Sequence, residues 1–244
     1  MEFFKEIFIT VLYQPLFNAL VFLYQYLPGK DFGVAIIVLT LLIRILVYPL
    51  MVKSLKSQKQ GMELQPKIKE IQNKYKDDKE KQTKALMELY QKEKINPFGG
   101  CLPLLVQLPI LIALYRVFWR GLDPGTLNYL YSFVPNPGVI DPNFIGLINL
   151  SQPNMVITVI AGFLQFLQGK MFAPKMGGSS GDGKKDLMSD IMKKQTIYFF
   201  PLITVVFLFR LPSAIGIYWI VTTLFSIGQQ YFIFKQKKNE PEKS

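Results

Sequence analysis

The sequence has no histidine and a single cysteine, Cys101. The first absence excludes Ser-His and Cys-His hydrolases and removes the commonest metal ligand. The second leaves neither an internal disulfide nor a cysteine cluster. Acidic residues are few, 17 Asp+Glu against 28 Lys+Arg, and none occurs in five apolar stretches at 33–51, 99–119, 154–173, 196–211 and 214–234. Without carboxylates there, an intramembrane aspartyl protease or a carboxylate proton relay lacks its working group. Gly177, Gly178, Gly181 and Gly183 sit in a Ser/Gly linker with no strand before them and no Lys-Ser/Thr after, so they do not make a phosphate loop. The chain is therefore read as a non-enzyme that needs no cofactor and no metal.

Half of the residues are hydrophobic, yet the formal net charge is +11. The two coexist because they are segregated. Four of the five apolar stretches are near or above the roughly 18 residues that read as membrane-spanning. The fold class that follows is all-α, a polytopic membrane protein with five transmembrane helices. Twelve lysines fall in 52–98, five in 174–195 and four in 235–244, against two in 1–32 and Arg120 alone in 120–153. By the positive-inside rule the lysine-rich segments face the cytoplasm. The N-terminus then lies outside and the C-terminus inside. This distribution accounts for the basic charge without any sequence-specific nucleic-acid partner.

Residues 1–30 form a separate unit. Glu2, Glu6, Thr10, Gln14 and Asn18 recur every four residues, which predicts an amphipathic helix lying on the outer leaflet. A sixth span over 7–27 also fits by length, and a cleaved signal peptide lacks both the basic start and the small-residue cleavage site. The first span occupies 31–52, the other four lie within 96–234, and 235–244 is a basic cytoplasmic tail. Between them, 53–95 is the only long polar stretch. Glu70–Lys74, Glu80–Lys84 and Glu88–Lys92 pair at (i, i+4), and Ile68, Ile71 and Tyr75, then Leu86, Leu89 and Tyr90, make narrow apolar stripes. With Lys76-Asp77-Asp78-Lys79 as the turn, the segment predicts a cytoplasmic helical hairpin, a solvated charged loop being the plainer alternative.

Arg44 is the most informative intramembrane residue. It precedes Met51 by seven positions, about 10 Å of helix. At that depth an arginine costs on the order of 2.5 to 3.5 kcal/mol on insertion scales. Snorkelling toward the cytoplasm would reduce that cost. The alternative is a hydrated cavity lined by neutral polar side chains: Thr40 one turn away, Gln107 in the second span, Gln165 and Gln168 in the third, and Thr222, Thr223, Gln229 and Gln230 in the fifth. Each alone reads as an interhelical hydrogen bond. Together they solvate a guanidinium without neutralising it. Arg116, Lys170 and Arg210 lie near span ends and read as anchors.

These residues fall into a pattern. Ile43-Arg44 with Tyr48-Pro49-Leu50, Leu64-Gln65-Pro66-Lys67-Ile68, the run Asn96-Pro97-Phe98-Gly99-Gly100-Cys101-Leu102-Pro103 with Gln107 and Pro109-Ile110, then Phe200-Pro201, Leu211-Pro212-Ser213, Tyr218-Trp219 and Gln229-Gln230 closely resemble the YidC-type membrane-protein insertases. The resemblance implies a five-helix core around a hydrophilic groove open to the cytoplasm and the bilayer, in a bacterial inner membrane. It maps the groove arginine onto Arg44, a polar position onto Gln165 or Gln168, and an aromatic onto Trp219. It implies an insertase and chaperone whose clients are newly made membrane proteins. Lys67, Lys74 and Lys84 of the hairpin and Lys235, Lys237 and Lys238 of the tail suit docking to anionic lipids, a ribosome or a Sec-type translocon. Many bacterial members carry a further N-terminal span and a large extracytoplasmic domain, so this chain reads as a compact or trimmed member. A non-translocating assembly scaffold and, less well, a small-solute transporter are the rival readings.

Overall fold

The computed structural model describes residues 2–95, 102–120, 124–172 and 194–236. Among them the chain is all-α apart from one two-residue ladder, β1 (Asn143–Phe144) against β2 (Ile148–Asn149). The helices are α1 (Glu2–Tyr26), α2 (Phe32–Glu63), α3 (Gln65–Lys74), α4 (Lys79–Lys92), α5 (Leu102–Arg120), α6 (Met155–Phe172), α7 (Gln195–Leu208) and α8 (Ser213–Gln236). Each of the five apolar stretches falls on one helix over most of its described residues. By length and composition α1 and α2 are long and apolar enough to cross a membrane, and Leu105–Trp119, Met155–Met171 and Gln195–Leu208 are shorter apolar helices.

Two helices contain the same local device. In α1 a π-helical turn, Ile9–Tyr13, comes just before Pro15, and in α7 another, Gln195–Phe199, comes just before Pro201. Proline has no N–H, and its ring collides with the carbonyl four residues back. Here those carbonyls belong to Val11 and Ile197, inside the widened turns. The turns close through Gln14 N–H to Ile9 O and Phe200 N–H to Gln195 O, so both helices continue through their prolines. Between α1 and α2 the chain turns at Pro28-Gly29, where Gly29 takes φ 81°, a conformation open to glycine at little steric cost.

The described residues divide into two compact units, one of residues up to 46, 107–172 and 194–228, the other of 47–95, 102–106 and 229–236. The first contains the main apolar core. Phe17, Leu20, Val21 and Tyr24 of α1, Phe32, Ile36 and Leu39 of α2, Leu114, Val117 and Phe118 of α5, and Ile215 and Tyr218 of α8 are buried in it. Phe32 stands edge-on to both Tyr24 and Phe118, at ring centroid distances of 6.4 Å. Helices α6 and α7 approach closely at Gly169, where a Cβ would lie 2.8 Å from the Thr196 carbonyl oxygen. Large apolar side chains also cover much of the outside, among them Leu42, Ile45 and Leu46 of α2, Phe163 of α6, and Leu202 and Phe207 of α7. That surface suits hydrocarbon better than water.

The polar row of α1 is divided. Glu2, Glu6 and Thr10 are exposed, but Asn18 is buried and fully engaged. Its Nδ2 donates to Tyr129 O and Gln14 O, both at 2.8 Å, and its Oδ1 accepts from Tyr131 N–H at 2.7 Å. Gln14 donates to Tyr129 O, Gln25 to Pro135 O, and the Tyr24 hydroxyl accepts from Asp141 N–H. Asp31 accepts from Val34 N–H at the start of α2 and from Ile145 N–H. The loop between α5 and α6 is thus tied to α1 along most of its second half.

In the second unit, α3 and α4 are joined by a turn at 75–78. Asp78 caps α4 by accepting from Lys81 N–H at 3.0 Å. Ile68 is buried and Ile71, Leu86 and Leu89 are half-buried. The helices are tied by Gln82 Nε2 donating to Gln72 O at 3.0 Å and by Lys67 Nζ to Glu93 Oε1 at 2.5 Å. Two points differ from the sequence reading. The hairpin does not begin at 53, because α2 runs on to Glu63; Lys53 to Glu63 is rich in straight-chain helix formers and has no breaker beyond Gly61. The bridging ion pair is Lys67–Glu93, which joins residues far apart in sequence and is invisible to an (i, i+4) search.

Candidate functional site

The site lies within the first unit and is built from α2, α5, α6 and α8. On α2, Leu41, Leu42, Ile45 and Leu46 face outward, so the opposite face of the same two turns turns Thr40 and Arg44 inward. Arg44 is 7% exposed. Its Nη2 donates to Gln107 Oε1 of α5 at 3.1 Å. Gln107 Nε2 in turn donates to the hydroxyl of Tyr218 on α8, a side chain only 1% exposed. Among the described residues Arg44 has no carboxylate partner. An arginine does not lose its proton in a protein, so among the described residues this buried cation is held by an amide that is itself bonded to a phenol, and its charge stays unneutralised.

Next to Tyr218, Trp219 donates from Nε1 to Gln165 Oε1 of α6 at 2.9 Å. Helix α8 therefore presents adjacent residues to two different helices, Tyr218 to α5 and Trp219 to α6. Thr222, one turn beyond Tyr218 on the same face of α8, places its buried hydroxyl beside the Tyr218 hydroxyl. Among the described residues only one of the five N–H groups of Arg44 is used in a hydrogen bond. The arrangement thus has a fixed cation with donors left over among the described residues and hydroxyls nearby, and it suits an anionic group with several acceptor oxygens. Among the described residues no group of three or more Cys, Asp or Glu could hold a metal ion.

Of the residues singled out in the sequence, Arg44 and Gln107 are brought into direct contact, as are Gln165 and Trp219. Thr40 is buried, but its hydroxyl donates to Ile36 O at 2.6 Å and is spent on its own helix. Gln168 is half-buried and makes no hydrogen bond among the described residues. Gln229 and Gln230 belong to the second unit, where both are buried and each has one amide atom without a partner among the described residues. Lys67 is committed to Glu93, Lys74 stands over the Tyr75 ring at 5.4 Å, and Lys84 is exposed. Lys235 lies in the last turn of α8, whereas Lys237, Lys238 and the run 96–101 with Cys101 lie outside the described residues. The hydrogen bond from Lys67 holds the Glu93 carboxyl below the usual glutamate range. Its pairing therefore persists at neutral pH and is lost only as pH falls through that lowered value.

Tyr218 is the member that sequence reasoning did not place in the site. A tyrosine in an apolar helix reads as core; its signal is its position four residues before Thr222, on the face that continues the polar row of α8.

The family described as 60Kd inner membrane protein matches residues 22–240. The chain is 37% identical over 206 residues to the membrane protein insertase YidC of Fusobacterium nucleatum, covering 84% of this chain and 87% of that protein. It is 36% identical over 228 residues to the membrane protein insertase YidC of Wolinella succinogenes, covering 93% of this chain but 38% of the other. A solved structure described as an active YidC insertase with the first transmembrane domain resolved superposes with a TM-score of 0.61 at 27% identity, over 90% of this chain and 46% of that one. The chain thus spans most of the Fusobacterium relative but less than half of the Wolinella relative and of the solved chain. With the family match over nearly its whole length, it belongs to the YidC membrane protein insertase family.

Proposed function

We propose that the chain is an insertase that carries short polar tails of client proteins across a bacterial inner membrane and releases their apolar helices into lipid. The observation that carries this reading is Arg44, buried and, among the described residues, held by a neutral amide. A tail crossing hydrocarbon loses water from each polar group at a penalty of several kcal/mol. A polar site partway through the membrane shortens that barrier. An acidic tail residue about 4 Å from a guanidinium is attracted by about 4 kcal/mol at an effective dielectric near 20, before desolvation. Gln165 with Trp219, Gln168 and Thr222 extend the polar lining. The client's apolar segment then moves sideways into lipid, and its burial drives the step. The residues named supply binding and solvation, with no covalent chemistry.

The orientation follows from the lysines, with the hairpin and the C-terminus cytoplasmic. Helix α1 lies along the outer surface in this reading. The outer loop bonds to residues from Gln14 to Gln25, about 16 Å of helix axis, whereas a helix running perpendicular to the membrane would touch that loop at one end only. The exposed lysines of the hairpin, Lys74 and Lys84 among them, suit docking to anionic lipid, a ribosome or a translocon. The test is reconstitution of the chain alone into liposomes, with a single-span client bearing a short acidic tail. Protection of the translocated tail from external protease is expected only in liposomes containing the protein. Binding of the client without protection would identify a holding scaffold instead.

A further inference from the structure

We propose that Gln107, oriented by Tyr218, is a positioning residue that makes the site selective for anionic tails by fixing Arg44 without neutralising it. The proposal rests on the insertase reading and deepens it. Its basis is the direction of the two hydrogen bonds. A guanidinium only donates, so the glutamine must offer Oε1 to Arg44, and its Nε2 then needs an acceptor on the other side. The Tyr218 hydroxyl oxygen is that acceptor. Tyr218 is buried on α8 and cannot swing away without opening the core around Ile215 and Phe118. The chain of contacts from α8 through α5 to α2 therefore sets which way the amide points and where the cation sits. Without the tyrosine oxygen, a partly buried N–H would lose its partner and the amide would be held from the Arg44 side alone.

The choice of an amide over a carboxylate is what leaves the charge available. A glutamate at 107 has the same length and shape. It would accept from Arg44 with one oxygen and from the Tyr218 O–H with the other, so every hydrogen bond at that position could be satisfied. The difference is electrostatic: a carboxylate 3 Å from the guanidinium cancels its attraction for a second anion. Gln107→Glu thus separates geometry from charge, and Tyr218→Phe removes the orienting acceptor while keeping the ring.

The experiment compares two clients in liposomes containing the full chain, identical except that the acidic tail residues of one are replaced by their amides in the other. The readout is the ratio of their insertion rates. Wild type should favour the acidic tail by roughly tenfold, the factor equivalent to 1.4 kcal/mol. Gln107→Glu should bring the ratio close to one, and Tyr218→Phe should lower it to an intermediate value. A glutamine that only packs the helices would slow both clients alike and leave the ratio at its wild-type value, and that result in Gln107→Glu overturns the proposal. Arg44→Ala separates the two levels. Loss of the preference in Arg44→Ala but not in Gln107→Glu defeats this inference alone, whereas an unchanged preference in both defeats the charge-based reading of the site.

Discussion

A buried arginine without a carboxylate is held here by directionality. Arg44 can only donate, Gln107 offers one acceptor and one donor, and Tyr218 takes the donor, so each group has one compatible arrangement. Asn18 shows the same logic at the other end of the unit, with its amide making two donations and one acceptance to α1 and the loop beyond α5. Replacing Asn18 by Leu keeps the volume but leaves the half-buried Tyr131 N–H without its partner and Tyr129 O with Gln14 alone. The expected loss is about 2 to 3 kcal/mol. It should appear as an unfolding midpoint lowered by several degrees in detergent, with earlier proteolysis within 124–150; an unchanged midpoint would mean that the loop is held by other contacts. The depth of Arg44 was legible in the sequence because charge in an apolar run stands out. Asn18 was legible only as one of a polar row, since periodicity places a side chain on a face and does not say what covers that face. Tyr218 was hidden because an aromatic ring looks the same to hydropathy whether its hydroxyl is engaged or idle.

The helices differ in how openly the sequence announces their limits. The turn at 75–78 is marked by charged, turn-forming residues and a capping Asp78, and it lies one residue earlier than the 76–79 read from the sequence, because Lys79 already opens α4. The end of α2 carries no such mark, and lysines and glutamines extend it past the last apolar residue of the stretch to Glu63. The seam between α3 and α4 is thin, with Ile68 buried and Ile71 and Leu89 half-buried, and it is reinforced by Lys67–Glu93. Aspartates at both Ile71 and Leu89 should place desolvated charges in that seam and open it. Insertion in cells is expected to fall several-fold as client delivery fails, while purified protein in liposomes keeps inserting clients present in excess. Equal loss in both assays would make the hairpin part of the insertion machinery, and loss in neither would leave it as a solvated appendage.

At the scale of the whole chain, membrane residence and helical class are written in bulk composition, because apolar side chains that face lipid cannot be disguised by packing. Leu42, Ile45 and Phe163 are exposed for the same reason that their stretches stand out in the sequence. The partners inside the site are not written there, since the pairing of α2 with α5 and of α6 with α8 depends on how the helices pack. Gln107 and Gln165 were selected as polar residues in apolar spans, but which of them meets Arg44 was settled only by three dimensions. The central claim is that a positive charge at position 44 attracts the client's tail. It is tested most directly by measuring insertion of a single-span client with an acidic tail into liposomes containing only wild type, Arg44→Lys or Arg44→Ala. The account predicts that Arg44→Lys retains much of the wild-type rate and that Arg44→Ala loses roughly tenfold or more. An Arg44→Ala protein that inserts this client at the wild-type rate would contradict it.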